Sequence, residues 1–206
     1  CEVKAAGFNT KPGEGYSYVC QTLDMGISYY RLVYARLTGE PFVVAETKNL
    51  LIREMTTRDL PELYAVYSTL EDCRYIEQLY DYDKELEFTK NYIKNMYGFF
   101  EYGLWLVFEK KSGELIGRAG IENREIDGVT CREIGYLIRR DMQHKGYAYE
   151  ACQAILEYAS DELGIQEMFA VIDKTNEPSR KLAQKLGFEL YAQTDGGPDL
   201  YKFVFG

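Results

Sequence analysis

The sequence predicts an α/β (α+β) fold, a mixed and mostly antiparallel sheet flanked by helices. Three observations carry that reading. From about residue 50, strand and helix rhythms follow the order strand, two helices, three strands, helix, strand, helix, two strands, with no repeating unit. The turns between the three central strands, Ser112-Gly113 and Asp127-Gly128, have hairpin chemistry. Finally, "RRDMQHKG" joins an apolar run, Ile134 to Ile138, to a helical pattern starting near Tyr147. That turn holds two arginines, a lysine, the single histidine and a glycine in a chain of net charge −9.

The elements follow in order. Residues 1–15 lack periodicity and are expected to be mobile. Val19, Leu23, Ile27, Tyr30 and Tyr34 recur at helical spacing and predict a helix over 16–37, ended by Gly39 and Pro41. "PFVVAET" reads as a short extended piece and "LLIREM" as a strand. In "TTRDLPELYAVYSTL", Thr57 is the expected N-cap, with Leu60, Leu63, Tyr64 and Tyr67 on one face. A second helix over 84–98 turns Leu86, Thr89, Tyr92, Ile93 and Met96 inward. The strands "LWLVFEK", "LIGRAGIEN" and "REIGYLIRR" come next. Ala148, Ala151, Cys152, Ile155, Tyr158 and Ala159 mark the inner face of the following helix, stopped at Gly164. "QEMFAVI" is a strand. Asn176 is the expected N-cap of a helix with Pro178 in its first turn and a stop at Gly187. "FELYAQ" and "LYKFVF" end the chain as strands.

Length and composition set outer bounds. A chain of 206 residues, 46% hydrophobic and 28% charged, is one soluble globular domain or one domain with an extension. No apolar stretch is long enough to span a bilayer, so no membrane partner is expected. The chain begins at Cys1 rather than Met, so its true start is expected upstream; no signal peptide is visible. Five cysteines without repeating spacing (Cys1, Cys20, Cys73, Cys131, Cys152) point to free thiols in a reducing cytoplasm. Acidity speaks against a nucleic-acid partner.

The strand-glycine-helix turn is where chemistry is expected. A helix start leaves several N–H groups without acceptors, and these together with the helix dipole favour a phosphate. Gly146 allows close backbone approach, and Arg139, Arg140, His144 and Lys145 supply positive charge. The alternative is a tight turn with solvated cations. No GxxxxGK[ST] segment and no Rossmann glycine trio occur. One histidine, no CxxC and no HExxH leave no metal site to expect. A serine triad lacks its GxSxG elbow.

"EIGYLIRRDMQHKGYAYEACQAILEYASDELGIQEMFAVIDKTNEPSRKLAQKLGFEL" resembles the cofactor-binding core of the GNAT N-acetyltransferase superfamily, in its ribosomal-protein N-terminal acetyltransferase branch. The glutamate-containing strand, the [QR]xxGx[GA] loop and the "NxxSxxxxxKLGF" segment occur in order. The resemblance covers about residues 48–206 and leaves 1–47 as an N-terminal extension with a helix that covers the sheet or makes a homodimer contact. It implies acetyl-CoA as cofactor. Leu137 and Ile138 correspond to the pantetheine-pairing strand, Gln143, His144, Lys145, Gly146, Tyr147 and Ala148 to the diphosphate loop, and Asn176 and Ser179 to the acyl end.

An amine must lose a proton before it attacks a thioester, and the departing sulfur can take one up. Glu133 matches the family's candidate base; its alternative role is an ion pair with Arg118 or Arg132. Glu122 on the neighbouring strand is a second candidate. Many relatives place a tyrosine where Ala183 stands here, a departure that leaves Ser179 as the candidate acid; its alternative role is helix capping. Glu77, Asp81, Asp83, Glu85 and Glu87, with Tyr75, Tyr80 and Tyr82, would suit a cationic amine or form a solvated helix edge. Trp105 is expected in the core. Two functions follow: an N-acetyltransferase acting on a small amine or a protein N-terminus, or a non-catalytic acyl-CoA-binding module.

Overall fold

The computed structural model describes residues 30–70, 74–126 and 128–206. Residues 1–15, most of the helix expected over 16–37, Cys1, Cys20, Cys73 and Asp127 lie outside them. The chain divides into two units after Phe42. In the first, residues 30–38 form helix α1, closed at Gly39 by a bond from its N–H to the Ala35 carbonyl. The rings of Tyr30 and Tyr34 stack one turn apart, 6.4 Å between centroids.

The second unit is one eight-stranded sheet in the order β1-β2-β3-β4-β5-β6-β8-β7. Its strands are β1 (Val43–Glu46), β2 (Leu50–Arg53), β3 (Leu104–Glu109), β4 (Leu115–Ile126), β5 (Val129–Ile138), β6 (Glu167–Ile172), β7 (Glu189–Ala192) and β8 (Asp199–Val204). Every neighbouring pair is antiparallel except β5 and β6. The hairpins expected at Ser112-Gly113 and around Gly128 join β3 to β4 and β4 to β5. The central strands are buried on both faces, which is why β3 reads as an unbroken apolar run rather than an alternation.

Helices α2 (Leu60–Ser68) and α3 (Tyr82–Tyr92) follow β2; α4 (Tyr147–Asp161) and α5 (Glu177–Lys185) flank β6 in sequence. The cap expected at Thr57 lies one residue earlier. A single 3-10 turn, Thr57–Asp59, precedes α2, and the Asp59 carboxylate accepts from the N–H and hydroxyl of Thr56 (2.7 and 2.9 Å) while holding Arg53 at 2.7 Å. The second helix begins at Tyr82, and its last eight residues, Ile93–Phe100, wind as a π-helix. Wider winding brings residues five apart onto one side. Tyr92 and Tyr97 use it: their rings meet edge-on at 5.5 Å, and their hydroxyls bind the N–H and carbonyl of Leu104 at the head of β3. The helix-to-strand corner is therefore locked, and Glu101 turns it in the left-handed region.

Register assigns residues to faces. Arg118, Gly120 and Glu122 of β4 pair with Leu137, Gly135 and Glu133 of β5, so all six share one face; Ala119, Ile121, Tyr136 and Ile134 share the other. Trp105 lies in the core, as expected, with its ring edge-on to Tyr158 of α4. Gly120 has to be bare, since a Cβ there would fall 2.0 Å from the Gly103 carbonyl.

Candidate active site

β5 leads through a 3-10 turn (Arg140–Met142) into the loop 143–146 and then α4. His144 (φ +61) and Gly146 (φ +87) both adopt left-handed backbone, which curls the chain and exposes its amides. The first backbone bond of α4 runs from Glu150 N–H to the Gly146 carbonyl (3.0 Å). The six preceding amides, residues 144–149, find no backbone acceptor among the described residues. They stand at the positive end of a fifteen-residue helix, a suitable cradle for a diphosphate.

The side chains of this turn behave differently from their charges. Arg139 is held by Asp141 (2.7 Å) and Glu114 (2.8 Å), so its charge is already compensated. Gln143 donates to the Ile138 carbonyl (2.9 Å) and ties the loop to the strand end. Lys145 reaches the Met142 sulfur, and Tyr147 donates to Glu109. His144 and Lys145 remain exposed. Ala148 opens the helix with too little side chain to cover the amides.

Beside this loop the sheet opens. β5 and β6 run parallel and share a single register pair, Glu133 with Phe169. The next amide of β6, on Val171, donates to Glu133 Oε1 (3.3 Å) instead of to the strand. Glu133 Oε2 accepts from Arg124, so the ion pair expected with Arg118 or Arg132 is made with Arg124 instead. Burial lifts the Glu133 carboxyl above the usual range, against those two donors. Leu137 turns its carbonyl to β4, where a Cβ on Gly117 would lie 2.4 Å from it. Alternation then aims the backbone groups of Tyr136 and Ile138 at the opening.

Asn176 caps α5 through its side chain, which accepts from Ser179 N–H (3.2 Å). The capping is thus done by Asn176, and the Ser179 hydroxyl faces the buried Tyr136 hydroxyl, for which it is the nearest hydrogen-bonding group among the described residues. Burial raises the Tyr136 phenol far above its ordinary range, and Ser179 opposes the shift. Ala183 is buried.

The other face of β4 and β5 looks toward α2 and α3. There Glu122 carries no hydrogen bond or ion pair among the described residues. Its carboxylate leans over Gly135, whose added Cβ would lie 3.2 Å from Glu122 Oε2. Burial raises the Glu122 carboxyl; Glu133 and Glu77 push the same way, Arg118 and Arg124 the other. Arg118 is 7% exposed; its guanidinium donates to the Tyr67 hydroxyl, and its Nε has no partner among the described residues. Tyr64 donates to the Tyr80 carbonyl (2.5 Å), and the Tyr75 and Thr175 hydroxyls meet at 2.5 Å, so the segment 74–81 reaches the loop between β6 and α5. Among the expected acceptor acids, Glu85 turns inward to hold the Tyr80 amide (3.0 Å), while Glu77, Asp81, Asp83 and Glu87 are exposed.

Tyr136 and Arg118 were missed as site residues by sequence reasoning. Arg118 had a readable signal, a charge inside the apolar run "LIGRAGI". Tyr136 had none, because a strand tyrosine looks like core. No group of three metal-binding side chains occurs among the described residues, and no helix there is long and apolar enough to cross a membrane.

The family model for the GNAT acetyltransferase domain matches residues 49–189. YkkB, an uncharacterized protein of Bacillus subtilis, is 33% identical over 65% of this chain and 72% of its own length. The uncharacterized N-acetyltransferase YoaA of the same organism is 27% identical over 72% of this chain and 84% of its own. Among solved structures, RimL, a ribosomal L7/L12 α-N-protein acetyltransferase, superposes with TM-score 0.67 at 15% identity over 80% of this chain and 95% of that one. Its coenzyme A complex superposes with TM-score 0.62 at 16% identity, over 79% and 97%. An acetyltransferase from Agrobacterium tumefaciens gives TM-score 0.64 at 22% identity, over 78% and 94%. These structures share the fold.

Proposed function

This chain belongs to the GNAT acetyltransferase family, and we propose that it transfers an acetyl group from acetyl-CoA to a primary amine, on a small molecule or a protein N-terminus, by direct attack of the amine on the thioester. The observation that carries the reading is the run of six unpartnered amides at the start of α4, set beside the opening between β5 and β6. The amides of 144–149 would hold the diphosphate, with Gln143, Gly146 and Ala148 shaping the loop. The open edge at Tyr136 and Ile138 would pair with the pantetheine arm. Acetyl-CoA supplies the activated acyl group.

The remaining chemistry is proton handling. Glu122 is the base we assign: it is half-buried, faces the acceptor side and makes no hydrogen bond among the described residues, and burial raises its proton affinity toward that of a working base. Glu133, the base expected from the sequence, has both oxygens engaged, and its role is to hold β6 away from β5. The Ser179 hydroxyl, backed by Tyr136, is the proton source for the departing sulfur. Cys152 is fully buried with its thiol pushed far up, which supports direct attack over transfer through that thiol.

The test is thiol release from acetyl-CoA with a panel of amines, polyamines and peptides starting in Ala or Ser. Amine-dependent release is expected. Coenzyme binding by calorimetry without release for any amine would make the protein a binding module.

A further inference from the structure

Arg118 lies on the acceptor face of β4, and its guanidinium is buried among tyrosines rather than carboxylates. The Tyr92 ring centroid is 5.4 Å from Cζ, the Tyr67 hydroxyl accepts a hydrogen bond from the guanidinium, and Tyr97 lies within electrostatic reach. No ion pair forms to it among the described residues, and its Nε is shielded from water with no acceptor. A guanidinium stays charged at any working pH. Burying that charge without a counter-ion is costly, and an unsatisfied buried donor adds to the cost. Tyrosine faces and phenol oxygens recover part of this, but none of them bears a charge.

Its surroundings supply the matching half. Four residues along the same strand and on the same face stands Glu122, the unpartnered carboxylate assigned above as base. Between them stand the paired positions Gly120 and Gly135: the Gly103 carbonyl packs over Gly120, and Glu122 leans over Gly135, in the direction of Arg118. Thus one face holds a buried cation and a half-buried anion that attract each other at a distance, with no ion pair to either among the described residues. Such a pair is complementary to a molecule with the opposite arrangement.

We propose that the acceptor carries a compact anionic group, a carboxylate above all, within a few bonds of its reacting amine: Glu122 receives the amine and Arg118 binds the anion. The inference rests on the acetyl-transfer reading and narrows it to amino-acid-like acceptors. The carboxylate has two sources, a free α-amino acid or the acidic side chain of a peptide's first residue. A plain polyamine lacks it.

The test compares each free amino acid with its neutral amide, and amidated peptides starting in Asp or Glu with those starting in Asn or Gln. The carboxylate form is expected to win by roughly 10- to 100-fold in kcat/KM, mostly through KM, as suits one charge-assisted bidentate contact. The arm that wins names the source. Arg118→Met should abolish the preference and leave coenzyme affinity unchanged; Arg118→Lys, which keeps the charge but not the fork, should retain a reduced preference. Calorimetric binding of the same pairs to the coenzyme-loaded wild type reads the contact without turnover and without a variant. Equal binding and equal turnover of acid and amide, or a preference that survives in a folded Arg118→Met protein, overturns the proposal. If no amine is turned over but the acids bind better than their amides, acetyl transfer fails while the anion site stands.

Discussion

Around α4 the groups that face the opening are backbone amides; around α2 and α3 they are side chains. The proposed donor side is one continuous segment, β5 through α5, whose binding power would come from the unpaired start of a helix and from a strand edge left bare by a splay. Neither depends strongly on which side chains stand nearby, and Arg139, the cation at the end of β5, is already neutralised. The acceptor side gathers Tyr67 from α2, Glu77 from the loop, Tyr92 from α3 and Arg118 and Glu122 from β4. Its chemistry is a balance of charges that changes with any one residue. Within a family the first kind of site can stay constant while the second varies.

The sharpest way to break this comparison is at the two glutamates that face each other across β4 and β5. Glu122→Gln should lower kcat by about 10²- to 10⁴-fold, the usual yield of a general base, with coenzyme affinity unchanged. Glu133→Gln should cost less in kcat, because an amide oxygen can still accept from Val171. Equal losses in the two variants would return the base to Glu133.

Next in size is the coenzyme loop. Gly146→Val should weaken coenzyme A binding by at least about tenfold, from about 1–2 kcal/mol of left-handed strain plus blocked approach to the amides. Gly128→Val is the matched control. It has a similar φ (+77 against +87) and equally open surroundings, but lies far along the chain in a hairpin turn. Titration calorimetry should find its coenzyme affinity intact; matching losses would mean that strain alone was read.

The pH response separates the halves further. The Glu122 carboxyl is raised in the folded state by burial and by Glu133 and Glu77, against Arg118 and Arg124. The native protein therefore holds more protons than the unfolded chain between the ordinary value and the raised one, so Glu122 makes stability fall as pH climbs through that window. Glu122→Gln should melt higher than wild type above the window, and the difference should vanish below the ordinary glutamate value of about 4.3. The acid limb of kcat/KM should disappear with it. A variant that melts lower at neutral pH would mean that Glu122 has a stabilising partner.

The smallest effect is at α5. Asn176→Ala removes a cap worth about 1 kcal/mol and should lower Tm by roughly 2–4 °C. Ser179→Ala should leave Tm unchanged, since its hydroxyl does no capping, and should lower kcat only.

What the chain's own order of residues determined is the list of elements and the local geometry of the proposed coenzyme turn. Strand and helix periods, the hairpin glycines, the Asn176 cap and the glycine before Tyr147 act through near neighbours, so each is legible locally. Tertiary structure decided which cations and carboxylates remain free. Arg139 was lost to Glu114 and Asp141, Glu133 to Arg124 and Val171, and the π-wound end of α3 set Tyr92 beside Arg118. Those outcomes depend on pairings across strands and between elements distant in sequence, and a charge's value as a binding group is whatever such pairings leave uncompensated.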